Sequence, residues 1–190
     1  MTNHQLVRNG AFYGIFTGPI DGAAVQRIIA ALTSLTDPRV APEYFHLFLH
    51  SPGGEIPEGI ALHNFFKAFP LPLILYNCGS VDSAAALAFL GAKERRASAY
   101  ATFTIHKCAM SVAYAQPAST LQEYVDAMLT QDERANAIYR QSGLKLTTAH
   151  WDQLTDNKNL TFSAKEAMDI GFVQEIAEFS PPPGAIWCPL

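Results

Sequence analysis

The sequence predicts an α/β domain on a largely parallel sheet, and three observations carry that prediction. Residues 44–49 and 73–76 are short, nearly continuous apolar runs, the pattern of strands covered on both faces. Between them Leu62, Phe65, Phe66 and Phe69 fall at i, i+3, i+4 and i+7, the spacing of one helix face. Strand, helix and strand in that order need a crossover, which makes neighbouring strands parallel. The chain can also bury a core unaided: of 190 residues, 49% are hydrophobic and 16% charged, which excludes a disordered protein.

Taken in order, residues 11–17 are aromatic and β-branched and read as a strand ended by Gly18-Pro19. Asp21 then caps a helix carrying Val25, Ile28, Ile29, Leu32 and Leu35, which Asp37-Pro38 stops. The strand at 44–49 leads through Ser51-Pro52-Gly53-Gly54 into the second helix, which ends at Pro70. After the strand at 73–76, Asn77-Cys78-Gly79-Ser80 reads as a loop opening a helix of small residues over 83–90. Residues 100–105 form another strand. Leu121, Tyr124, Val125 and Met128, then Ala135, Ile138 and Tyr139, mark a long amphipathic helix. Ser163 and Glu166 form a capping box for a last short helix that Gly171 closes. A single domain over 1–176 is expected, followed by a tail, 177–190, whose Pro181-Pro182-Pro183 cannot join a sheet.

Composition excludes several functions. A net charge of −4 with no basic cluster argues against nucleic acid as partner. No apolar run reaches the ~18 residues of a membrane span, and residues 1–10 lack the apolar stretch of a secretory signal. The three cysteines, Cys78, Cys108 and Cys188, are odd in number and have no CxxC spacing, which suits thiols in the cytoplasm. No metal or cofactor motif stands out, and without GxxxxGK[ST] the chain has no nucleotide loop of its own.

Three segments carry chemistry. His50-Ser51-Pro52-Gly53-Gly54 leaves an apolar strand, and paired glycines let backbone N–H groups face a ligand closely, as an oxyanion hole requires. The plain alternative is an ordinary strand-to-helix turn. Gly79-Ser80-Val81-Asp82-Ser83-Ala84-Ala85-Ala86 puts serines at the positive end of a small-residue helix, where an anion is favoured. Here the alternative is that Ser80, Asp82 or Ser83 merely caps the helix. His106 leaves the strand Phe103-Thr104-Ile105 at the edge where the serine loop lies, as a general base would. With five other histidines (His4, His46, His50, His63 and His150), it does not identify itself alone.

In this order the segments resemble the Clp-type serine peptidases, whose proteolytic subunit has the ClpP/crotonase fold of repeated β-β-α superhelical units with a projecting long helix. The resemblance spans residues 11–176 and closes on Phe162-Ser163-Ala164-Lys165-Glu166-Ala167-Met168-Asp169-Ile170-Gly171-Phe172-Val173. It implies Ser83 as nucleophile, His106 as general base, and the amides of Gly54 and Ala84 as oxyanion donors, with Gly53 shaping the turn. The interval from Ser83 to His106 is slightly shorter than in many bacterial Clp subunits, so the resemblance is to a divergent branch.

The third triad member departs from the pattern. Where the family has an aspartate before the closing motif, this chain has Asn159, which can orient an imidazole but offers no charge. Asp156 is the alternative on chemistry, Asp152 a weaker one. The resemblance further implies a homo-oligomeric ring, heptameric in the family, with residues 120–142 interleaving between rings and a separate AAA+ unfoldase. Substrates would be peptides or unfolded protein, in a pocket lined near residues 109–113 and 54–57. A catalytically weak or inactive ring scaffold is the alternative that Asn159 raises. A crotonase-like acyl-CoA enzyme is the remote one, since that superfamily shares the Gly-rich turn.

Overall fold

A computed structural model describes residues 10–190. Residues 1–9, most of the segment expected to lack the apolar stretch of a secretory signal, lie outside the described residues. In chain order the elements are β1 (Ala11–Thr17), α1 (Gly22–Ser34), β2 (Tyr44–Ser51), α2 (Ile56–Ala68), β3 (Leu73–Asp82), α3 (Ala84–Phe89) and β4 (Glu94–Ala97). They continue with β5 (Thr102–Ile105), α4 (Ala118–Gln141), α5 (Thr148–Thr155), β6 (Leu160–Ser163), α6 (Ala164–Asp169), β7 (Glu175–Ile176) and β8 (Ile186–Cys188). The sheet runs β6-β5-β3-β2-β1-β8, with β4 on β3 and β7 on β4. Among the described strands only β5 and β6 pair antiparallel. The alternation of apolar runs and helical spacing thus yields the parallel α/β sheet it predicts.

The core lies between the sheet and α1, α2 and α3. Asp21 caps α1, its Oδ1 accepting from Ala24 N–H at 2.7 Å. Helix α3 is buried on every side, Ala84 to Phe89 each being at most 1% exposed. A helix with no wet face must be apolar all round, which is why this one is alanine, leucine and phenylalanine alone. Burying Leu87 and Phe89 is worth about 1.5–3 kcal/mol each, enough to hold a six-residue helix too short to persist by itself.

Three features differ from the expectation. Residues 77–80 are not a loop: β3 continues through them to Asp82 while changing neighbours from β4 to β5. Asn77 holds the crossing point, its Nδ2 donating to the Thr102 carbonyl at 2.7 Å and its Oδ1 accepting from Gly79 N–H at 3.1 Å. Short elements also lie outside the predicted set: β4, α5, β6 and β7. Finally, the tail returns to the sheet. Pro181–183 stay out of the ladder, having no N–H to give, but Ile186–Cys188 pairs parallel with β1. Phe179 and Trp187 then pack on Tyr13 at ring separations of 5.9 and 6.1 Å.

Helix α4 spans 24 residues, about 36 Å. Only Ala135 and Tyr139 on it are buried, so its N-terminal half projects from the domain. Among the described residues, no helix is long and apolar enough to cross a membrane.

Candidate active site

Strand β3 delivers Ser83 at a sharp turn into α3. Ser83 has φ 55° and ψ −123°, one of two non-glycine residues with positive φ among those described. Such a conformation costs about 1–3 kcal/mol and persists only where the surroundings impose it. Here Ser83 N–H donates to the Thr104 carbonyl at 2.7 Å, and Ala86 N–H donates back to the Ser83 carbonyl at 3.0 Å. The turn presents a serine at the end of a strand and the start of a helix, as a nucleophile elbow does. The capping alternative does not hold: Ser83 occupies the N-cap position but its hydroxyl makes no cap hydrogen bond. Asp82 does not cap either, its Oδ1 being buried without a partner among the described residues.

The Gly53-Gly54 turn presses against this elbow. A Cβ on Gly53, at φ 92°, would sit 2.6 Å from both the Asp82 carbonyl oxygen and Ser83 Cβ, and 3.1 Å from the Ala84 nitrogen. Only glycine permits that approach. Gly53 N–H is already spent on Ser51 Oγ at 3.1 Å. The neighbouring strand-like bridge uses Ile20 N–H to the Gly53 carbonyl and Glu55 N–H to the Ile20 carbonyl, at 2.8 and 2.9 Å. Neither Gly54 N–H nor Ala84 N–H, the latter at the first position of α3, has a partner among the described residues. Gly53 therefore shapes the turn while two amides beside Ser83 stay available.

His106 follows β5, and together with Ser83 and Gly54 it lines one cleft of about 430 Å³. Its Nδ1 lies 2.6 Å from the Lys107 carbonyl. A carbonyl can only accept, so in the neutral ring Nδ1 carries the proton and Nε2 keeps its lone pair. The chain beyond His106 is tied on two sides. Lys107 Nζ donates to the Thr155 carbonyl at 3.1 Å, and Cys108 N–H donates to Asp132 Oδ1 of α4 at 2.7 Å. No hydrogen bond joins Ser83 Oγ to the His106 ring.

Cys108 is the other potential nucleophile in the cleft. Burial, with Asp132 beside it, pushes its thiol up to about 12. At neutral pH it is therefore a thiol and not the nucleophilic thiolate. Sequence reading did not weigh Cys108 as a cleft residue, because nothing in its spacing places it there.

Asn159 stands elsewhere. Ile105 pairs with Leu160 across the antiparallel β5–β6 ladder, so the next step of the register sets Asn159 opposite His106. The position expected for the third member thus lies across the ladder from His106. Yet Asn159 makes no hydrogen bond to the ring, and it lines a separate cavity of about 450 Å³ with His150, Phe162 and Glu166. Asp156 ends α5 and pairs with Lys158 at 3.6 Å on the exposed surface. Among the described residues, no group of three or more His, Cys, Asp and Glu side chains could hold a metal.

Comparison with known proteins finds likeness to one family. A family model described as Clp protease matches residues 10–180. The chain is 29% identical to the ATP-dependent Clp protease proteolytic subunit 3 of Rhizobium etli over 162 residues, 84% of this chain and 80% of the relative. It is 25% identical to the ATP-dependent Clp protease proteolytic subunit 2 of Pseudomonas aeruginosa over 162 residues, 84% and 78% of the two chains. With the ATP-dependent Clp protease proteolytic subunit of Paracoccus denitrificans the identity is 27% over 165 residues, 85% and 79% of the two chains.

Proposed function

Because the chain belongs to the Clp protease family, we propose that it is a serine endopeptidase that cleaves peptides or unfolded protein through an acyl-enzyme at Ser83. The observation that carries this reading is the shared cleft: Ser83, His106 and Gly54 line one concavity, and Ala84 follows Ser83 directly in the chain. Ser83 Oγ gives its proton to His106 Nε2 as it attacks the substrate carbonyl. The oxyanion takes hydrogen bonds from the Gly54 and Ala84 amides, donors worth about 2.7–4 kcal/mol each in comparable sites. The imidazolium protonates the leaving amine, and a water activated by the same nitrogen releases the acid.

The Lys107 carbonyl fixes the imidazole tautomer in this arrangement. Asn159 is the side chain the register offers as third member, and Asp156 the carboxylate further away. Imidazolium stabilisation by charge is then absent, which favours a second reading: a ring subunit of low or no activity. A fluorophosphonate probe separates the two. The peptidase reading expects labelling of the wild type and none of Ser83→Ala; an unlabelled wild type that still assembles supports the scaffold.

On the peptidase reading the chain works in a homo-oligomeric ring in the cytoplasm, fed by a separate AAA+ unfoldase. The projecting half of α4 supports stacking of rings: Leu121, Val125 and Leu129 repeat at helical spacing and are 42, 42 and 53% exposed. Sedimentation of the wild type against Leu121→Glu/Leu129→Glu tests this, the variant losing the larger species.

A further inference from the structure

The cleft beside Ser83 has a charge asymmetry that hydrolysis does not use. Beyond the groups already assigned and the amide of Gln131, its walls are apolar: Ile56, Pro57, Ala109, Met110 and Met128. Glu55 is the one carboxylate among the lining residues, and neither lysine nor arginine lines the cleft. Glu55 occupies the N-cap position of α2, where a carboxylate would normally accept from the helix amides, yet its side chain makes no cap hydrogen bond. The ion pairs among the described residues, Arg39 with Asp37, Arg96 with Glu175 and Lys158 with Asp156, leave it out. Two cations on neighbouring segments already have partners, Lys107 on the Thr155 carbonyl at 3.1 Å and Arg134 on the amide oxygen of Gln131, a lining residue, at 2.8 Å.

Glu55 is exposed in the free protein, and a peptide lying in this cleft would cover part of its surface. With a purely apolar side chain in the trough, Glu55 would lose hydration and gain nothing, a cost the complex must carry. A lysine or arginine side chain removes that cost. Its methylene stem covers the apolar walls, and its head forms a charge-assisted hydrogen bond with the carboxylate.

We propose that Glu55 selects a lysine or arginine side chain on the substrate residue whose carbonyl Ser83 attacks. The proposal rests on the peptidase reading for the role of Ser83, but its test separates the two. Fluorescent tripeptides differing only in the last residue (lysine, arginine, norleucine or glutamate) are titrated against the Ser83→Ala protein and followed by anisotropy. The lysine and arginine peptides should bind about tenfold tighter than norleucine at low salt, and glutamate weakest. That advantage should shrink in ~0.5 M salt, and in Ser83→Ala/Glu55→Gln it should fall to within about twofold.

Equal affinities for lysine and norleucine, a preference untouched by Glu55→Gln, or no binding of any peptide would overturn the assignment of Glu55. The salt series needs no second substitution, so a misfolded Glu55 variant does not decide the matter. Turnover of coumarin-amide versions of the same peptides by wild type reads out the peptidase function separately. Lysine-selective binding without turnover counts against hydrolysis and for Glu55, while turnover that is fastest for norleucine does the reverse.

Discussion

Ser80 has a hydrogen-bonded histidine and Ser83 has none: Ser80 Oγ is 3.5 Å from His50 Nδ1, whereas no hydrogen bond joins Ser83 Oγ to His106. The two pairs differ in what surrounds them. His50 Nδ1 already accepts the Ser80 backbone N–H at 3.1 Å, so its lone pair there is occupied. His106 has the opposite arrangement, Nδ1 donating to Lys107 and Nε2 free. Ser80 sits within β3, paired with Thr102, while Ser83 is held at positive φ beside two unpaired amides. The existing hydrogen bond alone would choose Ser80. The state of the ring nitrogens, the strain and the amides support the proposal of Ser83.

The largest expected effect comes from exchanging one histidine for the other. His106→Ala should lower kcat/KM for a peptide substrate by at least about 10³-fold, as removal of a general base does in other serine hydrolases. His50→Ala should stay within about threefold. A loss of similar size in both would mean that the Ser80 pair takes part, and the assignment of Ser83 would fail.

Gly53→Ala sharpens the same contrast from the backbone side. The new methyl would press on the Asp82 carbonyl and Ser83 Cβ at a φ that L side chains resist. A destabilisation of about 2–3 kcal/mol is expected by urea titration, with turnover falling more than stability explains because the elbow shifts. Unchanged turnover in a destabilised protein would show that the turn only packs.

These two pairs also show how far the sequence reaches. The order of Gly53-Gly54, Ser83 and His106 along the chain is legible because each stands where a strand ends, and a parallel sheet brings such ends to one edge. The capping boxes and helix stops are local, and Ser163 with Glu166 behaves as its spacing requires. The continuation of β3 is not legible. Asn77 and Gly79 are loop formers by propensity, and only the Thr102 carbonyl, 25 positions away, turns Asn77 into a strand residue. Nor is the partner of His106, since every residue has a carbonyl and nothing marks that of Lys107. The β1 edge that recruits Ile186–Cys188 is likewise a tertiary fact that the three prolines conceal.

A smaller effect is expected at Asn159. In serine enzymes that depend on a buried aspartate, replacing it costs about 10⁴ in kcat. Here the Lys107 carbonyl holds the tautomer and Asn159 lines another cavity, so Asn159→Ala should lower kcat by less than about tenfold. A loss near 10⁴ would show that the asparagine moves onto the ring during turnover, and that the Lys107 contact belongs to the resting enzyme only.

The smallest effect concerns stability and a third histidine, one outside both pairs. His63 of α2 is 7% exposed, with Nδ1 3.0 Å from the Leu87 carbonyl of α3. Burial, aided by Lys67 and Arg95, holds its pKa below the ordinary 6.5, against a smaller upward pull from that carbonyl. The unfolded chain takes up a proton near pH 6.5 that the folded chain refuses, so stability is complete above that pH and declines on acidification until the folded ring also protonates. His46, likewise depressed by burial and by Arg96, adds to the same slope. Urea midpoints measured between pH 7.5 and about 5 should fall in wild type and fall less in His63→Gln, whose neutral amide can also donate to the Leu87 carbonyl. If the two slopes coincide, the α2–α3 contact that backs Ser83 is indifferent to pH. Any acid limb in turnover would then not come from the packing behind the site.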